Sequence, residues 1–138
     1  GGFNLMDTVF RNVARSRTRK SWDVLFFEQD FEHPLTPQQA GTYAEALEMV
    51  RLAPSASNKQ PWRIVKSGQD FHFLFHRPLP HNHNQPFFNL PFVDSGIAMA
   101  HFELTCGAIG LHGGWHTQPS HKLDLPATWT YVATWSGV

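Results

Sequence analysis

The segment from Arg51 to Arg63 concentrates groups able to hold a small ligand. Pro54 stops a predicted helix. Ser55, Ala56, Ser57, Asn58 and Gln60 follow, and Pro61 and Trp62 open a predicted strand. Two hydroxyls, side-chain amides and a run of backbone N–H groups are the donors that a flat heteroaromatic ring needs. Small residues let the backbone come close, and the flanking elements hold the loop still. Gln60 can bond a ring edge or brace the loop. The bland alternative is a capped connection whose polar side chains satisfy local backbone groups.

Other candidate chemistries are weaker. Arg11, Arg15, Arg17, Arg19 and Lys20 form a local basic cluster that can bind a phosphate or simply stay solvated. Nine histidines raise the question of a metal, with usable spacings at His81/His83 and His112/His116. The first pair falls in a predicted loop, the second straddles Gly113 and Gly114, and no carboxylate or cysteine set accompanies them. We therefore expect no metal site. Cys106 lies among Met99, Phe102 and Ile109, which predicts an inert core thiol. His101 and Glu103 are polar residues in an apolar stretch, and a hydrogen-bonded buried histidine is the simplest account. No nucleophile–base set is evident, so no catalytic side chain is assigned.

These residues need elements to position them. Phe3, Leu5, Met6, Val9, Phe10, Val13 and Ala14 have the spacing of a short amphipathic helix. The apolar run Trp22, Val24, Leu25, Phe26 and Phe27 reads as an extended docking segment, so residues 1–35 are expected to form an arm or linker. Thr36, Pro37 and Gln39 make a capping box that starts a helix running to about Leu52. Residues 62–66 and 71–77 predict a hairpin across a turn at 67–70. The stretch 78–91 is rich in Pro, His and Asn and predicts a long loop, either a lid or a connector. Residues 92–111 predict a helix that is apolar nearly all round, with Gly110 as its C-terminal cap and a turn at Gly113 and Gly114. Such a helix needs cover on every side, which a short chain obtains from another subunit or another half. Residues 128–135 predict a last strand.

Composition bounds the function. The 138 residues are 41% hydrophobic and 16% charged, enough for one domain with a real core. Eleven basic residues balance eleven acidic ones, which argues against nucleic acid or an anionic membrane as partner. No apolar run reaches the ~20 residues that span a bilayer. A single cysteine excludes an internal disulfide and fits a reducing, cytoplasmic setting. The chain opens on Gly1 and Gly2 rather than Met, which fits a processed product or part of a longer chain.

Residues 53–62, Ala53-Pro54-Ser55-Ala56-Ser57-Asn58-Lys59-Gln60-Pro61-Trp62, resemble the A-P-S-x-x-N-x-Q-P-W signature of the nitroreductase family of FMN-dependent oxidoreductases. Further on, Asp94-Ser95-Gly96-Ile97-Ala98 through Gly107-Ala108-Ile109-Gly110-Leu111 is similar to that family's central helix. A narrower likeness is to members in which two related halves share one polypeptide. Residues 19–27 and the ending Tyr131-Val132-Ala133-Thr134-Trp135 resemble the second half of those proteins.

The resemblance implies an α+β sandwich in which a central, mostly antiparallel sheet is flanked by helices and one buried helix lies at a dimer or pseudo-dimer interface. It implies a single nitroreductase-like domain over residues 1–138, the C-terminal half of a longer chain. It implies FMN as cofactor, NADH or NADPH as donor, a small organic acceptor, and either a homodimer or the other half as partner. Pro54, Ser55, Ala56, Ser57, Asn58 and Gln60 would then meet the flavin. Arg15-Ser16-Arg17-Thr18-Arg19 is loosely similar to the family's R-R-S-x-R-like phosphate motif, which would give Arg17 and Arg19 a phosphate contact. The family's late Arg or Lys has no counterpart after Lys122, so the phosphate grip could instead come from the other half. A non-catalytic half that completes a pseudo-dimer is the alternative function.

Overall fold

The computed structural model describes residues 18–76, 90–119, 123 and 125–138. Their elements, in chain order, are a helical turn α1 (Trp22–Leu25), β1 (Phe26–Glu28), a helical turn α2 (Pro37–Ala40), a 3-10 turn (Gly41–Tyr43), α3 (Ala44–Leu52), a second 3-10 turn (Ala56–Asn58), β2 (Trp62–Ser67), β3 (Asp70–His76), α4 (Leu90–Ala108), β4 (Gly113–His116) and β5 (Trp129–Gly137). The expected helix within residues 3–15, along with Arg11, Arg15 and Arg17, lies outside the described residues. So does the expected loop from 78 to 89, while Leu90 already opens α4.

The five strands form one sheet in the order β1-β2-β3-β5-β4. Only β1 and β2 run parallel; the other pairs are antiparallel. Alternation along the strands sends side chains to opposite faces. Phe26, Ile64, Phe71, Phe73 and Trp135 pack with Leu47, Val50, Ala98, Phe102 and Cys106 of α3 and α4. Phe27, Val65 and Leu74 face the other way and join Phe31, Leu123, Leu125, Trp129 and Tyr131. The result is the expected α+β architecture, a mostly antiparallel sheet with helices packed on it.

The hairpin forms as expected, with Gly68 at φ +61° in its turn. The capping box at Thr36 is complete: its side chain accepts from the Gln39 N–H, and Gln39 Oε1 accepts from the Thr36 N–H at 2.9 Å. The helix does not run unbroken to Leu52, however. Gly41 adopts φ +59°, a conformation glycine reaches cheaply, and breaks the helix after one turn. At the far end of α4, Gly110 at φ +81° caps the helix as predicted. Leu111 N–H bonds the Cys106 carbonyl (2.8 Å) and Gly110 N–H bonds that of Gly107 (3.3 Å), the two bonds of a Schellman motif.

Two expectations need correction. Residues 22–28 are not a docking arm. Leu25 and Phe26 are fully buried, and β1 adds an edge strand parallel to β2. Trp22 Nε1 donates to Glu48 Oε2 (2.7 Å), and Arg51 grips the same carboxylate. Burial opposes ionisation of Glu48, but the bonds from Arg51 and Trp22 outweigh it and hold its pKa below the usual value. Gly113 and Gly114 are also more than a turn. They open β4, which pairs with β5. A Cβ on Gly113 would lie 2.5 Å from the Ser136 carbonyl oxygen and 2.7 Å from the Trp135 ring, so glycine permits the close approach.

The helix α4 is the centre of the packing, and one of its faces is exposed among the described residues. Phe102 is fully buried within ring contact of Tyr43, Phe71, Phe73 and Trp135. On the opposite face, Val93 is 54% and Leu104 72% exposed, and Gly96, Ala100, Gly107 and Ala108 lie open between and beyond them. Among the described residues no helix is long and apolar enough to cross a membrane.

Candidate functional site

The loop after α3 carries unusual backbone geometry. Ser57, Asn58 and Gln60 have φ of 50°, 53° and 47°, all left-handed. For a non-glycine residue this conformation costs roughly 1–2 kcal/mol, somewhat less for Asn. Three such residues within four positions persist only where surrounding bonds hold them.

Those bonds are visible. The Asp94 carboxylate accepts the Ala56 N–H at 3.1–3.2 Å and pins the loop to α4. The Gln60 N–H donates to Ser55 Oγ (2.9 Å). Gln60 Nε2 donates to Asn58 Oδ1 (2.6 Å), and Gln60 Oε1 accepts the Lys20 N–H (2.6 Å). Asn58 Nδ2 donates to the Thr18 carbonyl (2.8 Å), while Asn58 Oδ1 also accepts from Arg19 Nη1 (2.9 Å). Desolvation raises the Asp94 pKa, and the Ala56 bond only partly offsets that.

The structure thus brings together most of the residues singled out in the sequence. Pro54, Ser57 and Asn58 are exposed, Ser55 and Ala56 are half-buried, and Gln60 is fully buried. Gln60 braces the loop, with both ends of its amide engaged. Arg19 sits against Asn58 and the Leu52 carbonyl despite its distance in sequence. Arg17 lies outside the described residues. The exposed Ser57 side chain makes no hydrogen bond to a described residue, so the tip presents a hydroxyl outward.

A second feature escaped the sequence reading. A cavity of about 360 Å³ opens on a flank of α4, lined by Gly96 and Met99, by Trp115, His116 and Thr117, and by Val132 and Ala133. The β3–β5 register shifts between Phe73 and Leu74, where Ala133 and Tyr131 are their partners, so Val132 is an extra, bulged residue in that wall. At 3.6 residues per turn, Gly96 and Met99 stand about 140–200° around the axis from Asp94. The loop and the cavity therefore occupy different flanks of the same helix. Gly113, which lets β4 approach Trp135, was the sequence signal that could have led to this wall.

Beside the cavity, His116 Nε2 bonds Ser136 Oγ (2.7 Å), Ser136 Oγ donates to Asp70 Oδ1 (2.6 Å), and the Gln118 N–H donates to His116 Nδ1 (3.3 Å). With Ser136 Oγ donating to Asp70, it is the acceptor for His116 Nε2–H, and Nδ1 accepts from the Gln118 N–H. Cys106 is fully buried; burial first, and then the Glu103 charge, push its thiol up to about 11, which fits an inert core residue.

A flavin needs a flat slot for its ring and cations for its phosphate. The cavity has the apolar walls for a ring, with Thr117 and His116 as polar edges. No Lys or Arg is among the described residues that line it; Arg19 and Lys59 sit by the loop, on the other flank. The residues present fit the ring part of the cofactor, and the described residues do not complete a phosphate grip.

Residues 11–106 match the family model described as "Putative TM nitroreductase". No curated protein matches the sequence. The structure is similar to that of a nitroreductase family protein from Clostridium difficile 630, solved at 1.50 Å resolution. That likeness has a TM-score of 0.55 at 14% identity and covers 91% of this chain and 81% of the other, so it bears on the fold alone. The family match spans the strapped loop and nearly all of α4, and with it the chain belongs to the nitroreductase family.

Proposed function

We propose that this chain is a nitroreductase-like oxidoreductase that carries electrons from NADH or NADPH through FMN to a small organic acceptor, at a site completed by a second copy or by another half of a longer chain. The observation that carries this reading is the strained loop, held by Asp94, Gln60, Asn58 and the 18–20 segment, with the Ser57 hydroxyl at its exposed tip. Strain maintained at an exposed tip favours a binding role over a plain connection. When bound, the flavin supplies the two-electron chemistry between a nicotinamide and the acceptor. The chain's own contribution is to present donors from the Pro54–Asn58 loop, to offer apolar walls around Met99 and Trp115, and to leave one side open for an acceptor.

The separation of loop and cavity around α4 supports a two-chain site. A ring lodged on one flank is kept from the loop on the other by the helix itself. The exposed face with Val93 and Leu104 lies between the two flanks and would be covered by the partner. A homodimer is the arrangement we expect for the isolated chain, with a cytoplasmic setting.

One observation favours the alternative, a non-catalytic half: none of the described residues lining the cavity is a Lys or Arg. The test is oxidation of NADH and NADPH by the purified chain with excess FMN and an artificial acceptor, for the wild type and for Ser55→Ala and Asn58→Ala. A working site gives flavin-dependent turnover that both substitutions weaken. Absence of turnover, with flavin retention indifferent to both, identifies the structural half.

A further inference from the structure

Gln60 holds more of the loop than any other residue, and it does so from a fully buried position with left-handed backbone. Its four polar groups are all committed: N–H to Ser55 Oγ, Nε2 to Asn58 Oδ1, Oε1 to the Lys20 N–H, and its carbonyl to Arg63 Nη1 at 3.0 Å. The orientation of its amide follows from those partners. Flipping it would set Nε2 against the Lys20 N–H and Oε1 against Asn58 Oδ1, two repulsive pairs in place of two bonds. Asn58 is fixed in the same way, because its Oδ1 receives Gln60 and Arg19 while its Nδ2 reaches the Thr18 carbonyl. Two side-chain amides thus grip the backbone of residues 18–20 at a carbonyl and an N–H, as a neighbouring strand would.

We propose that Gln60 is a positioning residue for the loop, and that the Thr18–Lys20 segment is a strap whose docking sets the left-handed tip at Ser57 and Asn58. Strap docking and ligand binding at the tip are then coupled, each strengthening the other. The ligand half of the proposal rests on the flavin reading above; the strap half stands on the hydrogen bonds alone.

The test is amide hydrogen exchange on the full chain, with and without FMN, for the wild type, Gln60→Glu, Gln60→Ala and Lys20→Pro. Gln60→Ala should speed exchange at the Lys20 amide about tenfold, the factor expected for one lost hydrogen bond. Gln60→Glu keeps the acceptor for Lys20 but puts an oxygen against Asn58 Oδ1, so the Lys20 amide stays protected while FMN binds more weakly. Lys20→Pro deletes the N–H from the strap side, leaves the core untouched, and should weaken FMN binding as Gln60→Ala does. The amide of Phe73, in the sheet centre, serves as the folding control. Unchanged Lys20 exchange in Gln60→Ala overturns the strap. Faster exchange with undiminished FMN affinity overturns the coupling. If the wild type takes up no FMN, the flavin reading fails, and the exchange data still decide the strap.

Discussion

Asp94 is 5% exposed, and the one hydrogen bond its carboxylate makes to a described residue is with the Ala56 N–H, so two substitutions separate its charge from its acceptor. Asp94→Ala leaves the half-buried Ala56 N–H without a partner. The cost of an unsatisfied backbone donor is about 1–3 kcal/mol, and the partial exposure of Ala56 places it at roughly 1–2 kcal/mol. For a chain of this size that lowers Tm by about 3–7 °C. Asp94→Asn keeps an oxygen for the Ala56 N–H and removes the buried charge. Because desolvation raises the folded pKa of Asp94 above its ordinary 3.8, the folded state binds its proton more tightly than the unfolded state does. Wild-type stability from this group is therefore greatest in acid and falls as pH rises from about that value through the raised pKa, then levels off. The Asn variant lacks this loss, so it should match the wild type in acid and equal or exceed it at neutral pH. The assay is urea unfolding of all three proteins between pH 4 and pH 8, read as differences so that other carboxylates cancel. An Asn variant as unstable at neutral pH as the Ala variant would refute the assignment of Asp94 as a buried acceptor for the loop.

Three further outcomes are expected. Phe102→Ala should cost about 3–5 kcal/mol in urea unfolding, because the ring is fully buried among the aromatic side chains of Tyr43, Phe71, Phe73, Trp115 and Trp135. Leu104→Glu changes a residue that is 72% exposed, so unfolding stability at low protein concentration should move by no more than about 0.5 kcal/mol. Light scattering should nevertheless show the mass shift from dimer to monomer. With its thiol pushed up to about 11, Cys106 holds only about one thiolate in a thousand at pH 8, so a thiol-directed chromogenic reagent should stay unreacted until denaturant is added.

Local signals carried well from sequence to structure where one physical cause decides the outcome. Thr36, Pro37 and Gln39 specify a helix start through two reciprocal bonds, and Gly110 specifies an end through its left-handed backbone. Alternating Phe71, Phe73 and Phe75 specify β3. The signals failed where a partner distant in sequence decides. Phe26–Glu28 is too short to read as a strand without β2 beside it, and Gly113–His116 becomes a strand only along the edge of β5. The apolar character of α4 was legible, but the division between a face buried by bulky neighbours and a face of small, open residues was not. At the site, the loop residues were found by their motif, but their division of labour was not. Nothing in the order Asn58-Lys59-Gln60 says that Gln60 turns inward to hold a segment 40 positions upstream. The cavity needs three separate elements and a bulge at Val132, none of which leaves a contiguous trace.

The central claim is a flavin site built on the strapped loop of this chain. Its most direct test is the visible absorption spectrum of the purified protein after incubation with FMN and removal of excess by gel filtration. The account predicts a retained, perturbed flavin spectrum in the fraction that elutes at the dimer mass. A colourless protein at that mass, with all added FMN in the small-molecule fraction, would contradict it.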